Sequence, residues 1–117
     1  MKSVLDSRQL LAVVVLAKTR SFTLAAKELF LTQSAVSHAI RSLERDLDCR
    51  LFKRTTRGVA ITPVGKSFLE HAERIVGEMK AARATVERER SASDDEWRLA
   101  RPALLPELNR ARGGVLY

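Results

Sequence analysis

Residues 23–47, TLAAKELFLTQSAVSHAIRSLERDL, decide the fold of this chain. The second half of the stretch predicts a helix that begins after Thr32, a suitable N-cap. Its apolar residues recur at spacings of 4, 3 and 4 and form one stripe: Val36, Ile40, Leu43 and Leu47. The first half predicts a shorter helix, whose paired alanines at 25–26 let another helix cross closely. Two helices joined by a tight turn at 30–32 are typical of a helix-turn-helix.

The face of the second helix opposite the apolar stripe is small and polar at first and basic further along. A helix of this kind fits the major groove of DNA, where its N-terminal side chains reach base edges. Gln33 suits the N6 and N7 atoms of adenine, and Ser34 and Ser37 are short enough to let the backbone approach. His38 and Arg41 can reach a guanine or a phosphate. The expected DNA contacts from this helix are Thr32, Gln33, Ser34, Ser37, His38 and Arg41.

The residues on the N-terminal side predict one more helix. Asp6 is a suitable N-cap with Gln9 three positions on, as in a capping box. The apolar residues that follow recur at helical spacing: Leu10, Val13, Val14 and Ala17. The pattern breaks at residues 19–21, so we expect this helix to end there and the next one to be capped by Ser21 or Thr23.

Residues 51–62, LFKRTTRGVAIT, change to a strand-like pattern around the turn signal Arg57-Gly58. We interpret them as a two-stranded hairpin, the wing of a winged helix-turn-helix. Its basic and polar side chains would follow the DNA backbone or enter the minor groove. The expected contacts from the wing are Arg54, Thr55, Thr56 and Arg57.

Thr62-Pro63 marks the start of a long helix, because proline fits the first helical position. The apolar spacing predicts that this helix continues to about residue 90. A near-heptad stripe along it predicts pairing with a second copy. The alternative is that the helix folds back and packs this stripe on residues 1–62 of the same chain. The stripe consists of Val64, Phe68, Ala72, Ile75, Met79, Ala82 and Val86.

The sequence therefore divides into a mainly α-helical DNA-binding head at 1–62, a dimerisation helix at 63–90 and a tail at 91–117. The tail is polar and turn-prone, and we expect one short helix in it, at about 104–110. The net charge of +7 lies in residues 1–90, because residues 91–117 carry four acids and four arginines. Such a charge favours a polyanion as partner, although a merely solvated surface also fits it.

Several other classes of protein are not expected. No apolar run is long enough to span a membrane and no signal peptide is visible, so the expected location is the cytoplasm, on the nucleoid when DNA is bound. Cys49 is the single cysteine, and packing is a simpler role for it than redox sensing. His38 and His71 lie far apart in sequence, so we expect no metal site. We find no nucleophile–base pair and no phosphate loop, and we expect neither an enzyme nor a cofactor.

Residues 21–69 resemble the DNA-binding domain of LysR-type transcriptional regulators, and the resemblance extends over about residues 6–90. The markers occur in order: the paired alanines, T-Q-S-A-V-S, I-R-S-L-E, L-F-K-R and T-P-x-G. The resemblance implies a winged head, a linker helix that pairs antiparallel in a dimer, and an effector-binding domain beyond it. It places groove contacts on Gln33, Ser34, Ser37 and His38. It places backbone or minor-groove contacts on Arg54 and on the wing tip, which is predicted at residues 55–57.

Two residues depart from the family pattern. His38 stands where many members have arginine, and Asp48 stands where glycine commonly ends the recognition helix. Residues 91–117 cannot form an effector domain, although ALLPELNRAR is faintly similar to its first helix. We therefore expect no small-molecule effector site in this chain.

The expected function is sequence-specific binding of double-stranded DNA as a homodimer. Two alternatives stay open at this point. The chain could be an interaction module that modulates full-length relatives through mixed dimers, without its own DNA target. It could also be an architectural protein that binds DNA by charge alone.

Overall fold

The structure, a computed structural model, describes residues 4–92. The elements in chain order are α1 (Ser7–Thr19), α2 (Phe22–Leu29), α3 (Gln33–Leu47), β1 (Phe52–Thr55), β2 (Gly58–Ile61) and α4 (Pro63–Ala92). The mainly α-helical winged helix-turn-helix architecture is thus confirmed. The helix predicted at about 104–110 lies outside the described residues. The chain forms two compact units, one ending at Met79 and one beginning at Lys80.

Side-chain caps fix where the first three helices begin. Asp6 accepts a hydrogen bond from the backbone N–H of Arg8 at 2.8 Å, and this bond is the main reason that the pKa of Asp6 is lowered. Ser21, one of the two predicted caps of α2, accepts from the N–H of Leu24. Thr32 caps α3 as predicted. These starts depend on residues close in sequence, which is why the sequence revealed them.

Each of these three helices ends at a residue in the left-handed conformation: Arg20, Phe30 and Asp48 have φ between 55° and 57°. Asp48 thus takes the conformation that glycine adopts freely at such a position. Phe30 is less suited, because a left-handed backbone costs a bulky residue about 1–2 kcal/mol. Its ring is also 93% exposed, so no internal packing offsets that cost.

The core of the head lies between α1, α2 and α3 and extends under the hairpin. The stripe predicted on α3 faces inward, since Val36, Ile40 and Leu43 are buried and Leu47 is half-buried against them. On α1 the buried face is wider than predicted. It includes three residues outside the predicted set: Ala12, Val15 and Leu16.

A tight joint connects the end of the wing to α4. The N–H of Thr62 donates to the carbonyl of Leu51 at 2.9 Å, and its hydroxyl donates to the carbonyl of Arg50 at 2.6 Å. The same hydroxyl accepts from the N–H of Gly65 at 3.0 Å. Gly65 is buried, and a Cβ at this position would lie 2.2 Å from the Leu51 carbonyl oxygen. Only glycine therefore lets α4 approach the chain at residue 51.

The first part of α4 carries two neighbouring stripes where the sequence predicted one. The inner stripe packs on the core of the head, and its buried or half-buried members are Gly65, Phe68, Leu69, Ala72 and Val76. Ala72 is fully buried there, although the sequence predicted it in the stripe that pairs with a second copy. Val64, Ile75 and Met79 form the outer stripe and are 41–48% exposed. Both stripes have helical spacing, so periodicity alone could not separate them.

The described part of the second unit is the C-terminal part of α4, up to Ala92. All its side chains are exposed, including Ala82 and Val86 of the predicted stripe. Val86 is 62% exposed.

Candidate nucleic-acid interface

One polar face of α3 holds five of the six residues predicted as DNA contacts from this helix, and the sixth, Thr32, is its N-cap. Because Val36 and Ile40 face the core, the residues at helical spacing on the other side face outward. Four of them are exposed, Gln33, Ser34, His38 and Arg41, and the fifth, Ser37, is half-buried. Side chains that are short at the N-terminal end and long and basic further along suit a helix that enters the major groove with its N-terminus first.

Thr32 has a structural role in addition to the contact predicted for it. Its hydroxyl oxygen accepts a hydrogen bond from the N–H of Ala35 at 3.0 Å. Within the first turn of α3, the N–H groups that are not used in this way are free to bind an anion. The hydroxyl proton of Thr32 is left to donate to a ligand.

The wing is a regular antiparallel hairpin. Lys53 pairs with Ala60, Arg54 with Val59 and Thr55 with Gly58 in register. Residues 56–57 form the tip, so Thr55 is the last residue of β1 and only borders the tip. The hydroxyl of Thr55 accepts from the N–H of Arg57 at 3.3 Å. Residues 53–57 are exposed, so the whole basic edge is open to a ligand.

Arg54 is held by an aromatic ring of another element. Its Cζ atom lies 4.7 Å from the centre of the Phe22 ring at the start of α2. A guanidinium over an aromatic face gains about 0.5–2 kcal/mol. This contact limits the directions that Arg54 can take. Its partner, Phe22, lies 32 positions earlier in sequence and carried no signal that could have revealed the pairing.

A cleft of about 100 Å³ lies between α3 and the wing. It brings together three of the predicted contacts: Ser37, Arg41 and Arg54. Arg50 and Lys53, which are basic residues outside the predicted set of DNA contacts, line it as well. Gln33, Ser34, His38 and residues 55–57 do not line the cleft. The recognition helix and the wing thus meet along a shared basic edge.

Glu44 holds the start of the wing against α3 and was missed as a structural residue. Only 9% of it is exposed, and its Oε2 accepts from the N–H groups of Leu51 at 2.7 Å and Phe52 at 3.1 Å. The Nε of Arg50 lies 3.7 Å from the same oxygen. A signal was present in the sequence, because Glu44 lies four residues after Ile40 and therefore on the apolar stripe. A carboxylate at such a position needs partners from elsewhere in the chain.

The described residues contain neither a metal-binding cluster nor a membrane-spanning helix. Among residues 4–92, no three His, Cys, Asp or Glu side chains are grouped so that they could hold a metal ion. No described helix is both long enough and apolar enough to cross a membrane.

Residues 7–66, which include α1 to α3 and the wing, match the family described as "Bacterial regulatory helix-turn-helix protein, lysR family". A similar curated protein is the HTH-type transcriptional regulator PerR of Escherichia coli K12. It is 49% identical over 69 residues, which cover 59% of this chain and 23% of PerR. The chain therefore matches about a quarter of that relative's length.

Two solved structures with a similar fold are DNA complexes. The BenM_DBD/catB site 1 DNA complex has a TM-score of 0.68 and 30% identity, and covers 72% of this chain and 94% of that chain. The CbnR_DBD–DNA complex has a TM-score of 0.63 and 32% identity, and covers 76% of this chain and 99% of that chain. The relatives and the fold are those of transcriptional regulators and not of enzymes.

Proposed function

Because the chain belongs to the lysR family of bacterial regulatory helix-turn-helix proteins, we propose that it binds double-stranded DNA sequence-specifically as a homodimer. The observation that carries the proposal is the exposed polar face of α3 beside the basic edge of the wing. In this proposal Gln33, Ser34, Ser37 and His38 contact base edges, while Arg54 and residues 55–57 contact the backbone or the minor groove. A chromosomal target places the protein in the cytoplasm, on the nucleoid.

Selection of bound duplexes from a random DNA pool tests sequence specificity directly. We expect an enriched sequence with two related half-sites, because a two-fold symmetric dimer binds a two-fold symmetric operator. Affinity for the selected duplex should exceed that for a random duplex by about 10³-fold or more. Equal affinity for both would favour an architectural protein that binds by charge alone. A dimer that binds no duplex would favour the interaction module.

His38→Ala should change base preference more than it weakens overall binding. His38 is exposed on the outer face of α3, one position after Ser37, where a side chain can reach a base edge. We expect discrimination at one position of the operator to fall about tenfold, as for the loss of one good base contact. Selection repeated with the variant measures this. Equal loss on every duplex would show that His38 contacts a phosphate instead.

Arg54→Ala should weaken binding to all duplexes by a similar factor, about tenfold at moderate salt. The variant removes one cation that the Phe22 ring holds in place beside the cleft. The slope of log K against log salt should become about 1.8 less steep, because each of the two copies in the dimer loses one phosphate contact. Titrations at several salt concentrations measure the slope, and an unchanged slope would remove Arg54 from the phosphate contacts.

Dimerisation is proposed to use the outer stripe of α4. Val64, Ile75 and Met79 expose apolar side chains along one side of the helix, and a line of exposed apolar side chains is a candidate interface. Ala82 and Val86 of the predicted stripe are exposed in the second unit, and each is proposed to contact the partner copy. The buried Ala72 is excluded from this proposal, and the half-buried Phe68 can contribute only an edge.

Met79→Lys should weaken the dimer by about a hundredfold, because it would bury an ammonium group in an apolar interface. Ala81→Lys is the matched control, since Ala81 is exposed on the same helix and outside the proposed stripe. Sedimentation over a range of concentrations compares the two variants. If both stay dimeric, the copies pair through another surface.

A further inference from the structure

The cleft between α3 and the wing carries an unbalanced positive charge. Four cationic side chains line it: Arg41 from α3, Arg50 from the connecting loop, and Lys53 and Arg54 from β1. Glu44 is the single carboxylate among the lining residues. Within residues 4–92 neither Arg41 nor Lys53 forms an ion pair with a carboxylate. The lining thus carries four cations against one carboxylate.

The carboxylate of Glu44 has a structural role and is not available to balance the cations of the cleft. Its Oε2 accepts two backbone N–H groups, from Leu51 and Phe52, so it cannot turn outward without leaving both buried donors unpaired. Arg50 approaches this oxygen only to 3.7 Å, and 71% of its side chain is exposed. Most of the guanidinium of Arg50 thus stays available to a second anion.

The size and surroundings of the cleft limit what it can bind. A cleft of about 100 Å³ accommodates a phosphate-sized group. The floor is apolar, formed by Ile40, Phe52 and Val59, so a charge contact there is less screened by water than on an open surface. The guanidinium group of an arginine can donate two parallel N–H hydrogen bonds to the two non-bridging oxygens of a phosphodiester.

The cleft is also continuous with the proposed recognition surface. Ser37 and Arg41 belong to the outer face of α3, and both line the cleft. A DNA backbone beside a recognition helix in the major groove would run along this edge of the helix.

We propose that this cleft holds one phosphate of the DNA backbone, and that Arg50 and Lys53 are DNA contacts beside Arg41 and Arg54. The inference rests on the proposed DNA-binding function and assigns to that function two residues that the sequence did not identify as contacts. A phosphate held between α3 and the wing fixes the register of the recognition helix on the duplex without specifying a base.

Lys53→Ala and Arg50→Ala test the assignment by salt titration on the selected duplex and on a random one. Each variant should weaken binding to both duplexes about fivefold. It should also make the slope of log K against log salt about 1.8 less steep, because each of the two copies in the dimer loses one phosphate contact worth about 0.9. Lys80→Ala is the control, because it removes the same charge from an exposed position outside the cleft and should leave the slope unchanged. Circular dichroism confirms that the variants are folded, and Lys53 is the safer position because it has no ion-pair partner to lose.

Single methylphosphonate substitutions along the duplex identify the bound phosphate. At one position in each half-site, neutralisation should weaken binding by the unmodified chain about fivefold and have little further effect on Lys53→Ala. If no position shows this dependence, and both cleft variants keep the original slope while the unmodified chain binds DNA, the inference is wrong and the proposed function stands. If the unmodified chain binds no duplex, the proposed function itself fails.

Discussion

Gly65→Ala is expected to destabilise the head by about 3 kcal/mol, near the upper end of the cost of overpacking a core. The added Cβ would lie 2.2 Å from the carbonyl oxygen of Leu51 and 2.8 Å from Cγ1 of Ile61. The first contact is with backbone, which cannot turn aside as a flexible side chain can. To relieve it, α4 would have to move away from the wing and break the hydrogen bonds of Thr62.

Gly77→Ala provides the control on the same helix. A Cβ at Gly77 meets no atom within 4 Å, so only the helix propensity changes. We expect the control to gain about 0.5–1 kcal/mol, because alanine favours a helix over glycine by roughly that amount. Urea unfolding monitored by circular dichroism measures both. If the two variants had similar free energies of unfolding, α4 and the chain at Leu51 would be able to move apart at little cost.

Glu44→Ala should cost a similar amount, about 3 kcal/mol. The substitution leaves the N–H groups of Leu51 and Phe52 without their acceptor in a buried place, and it opens a small cavity beside the core. Each unsatisfied buried donor costs about 1–3 kcal/mol. Since these donors hold the start of β1 against α3, DNA affinity should fall with stability.

Glu44→Gln and Glu73→Ala complete this experiment. Glutamine keeps the shape and one carbonyl oxygen, so its loss should be intermediate, about 1–2 kcal/mol, because hydrogen bonds to a neutral acceptor are weaker. Glu73 is exposed on α4, and its replacement should change stability by less than about 0.5 kcal/mol. If Glu44→Ala behaves like Glu73→Ala, another group must satisfy the two N–H donors.

The polar face of α3 is the part of the candidate site that the sequence predicted. Its residues follow from the position of Val36 and Ile40, because one turn of helix relates the apolar face to the outer face. The hairpin was also predictable, from Arg57-Gly58 between two strand-like runs. The contacts made between elements were not predictable in this way. Arg54 lies over Phe22 and Glu44 binds the strand start only because the chain returns to these places in space.

Local chemistry thus determined where the helices begin. The caps at Asp6, Ser21 and Thr32 bond to N–H groups two or three residues away, and no distant residue is needed to place them. The same locality accounts for the polar side chains on the outer face of α3, from which DNA binding was predicted.

Only the tertiary structure decided which face of α4 packs on the head and which face stays exposed. The inner stripe through Ala72 and the outer stripe through Ile75 are almost equally apolar and have the same helical period. What separates them is the approach of α4 to Leu51, which Gly65 makes possible and the bonds of Thr62 hold. The physical reason is that periodicity gives the faces of a helix, whereas only close packing selects which face is covered.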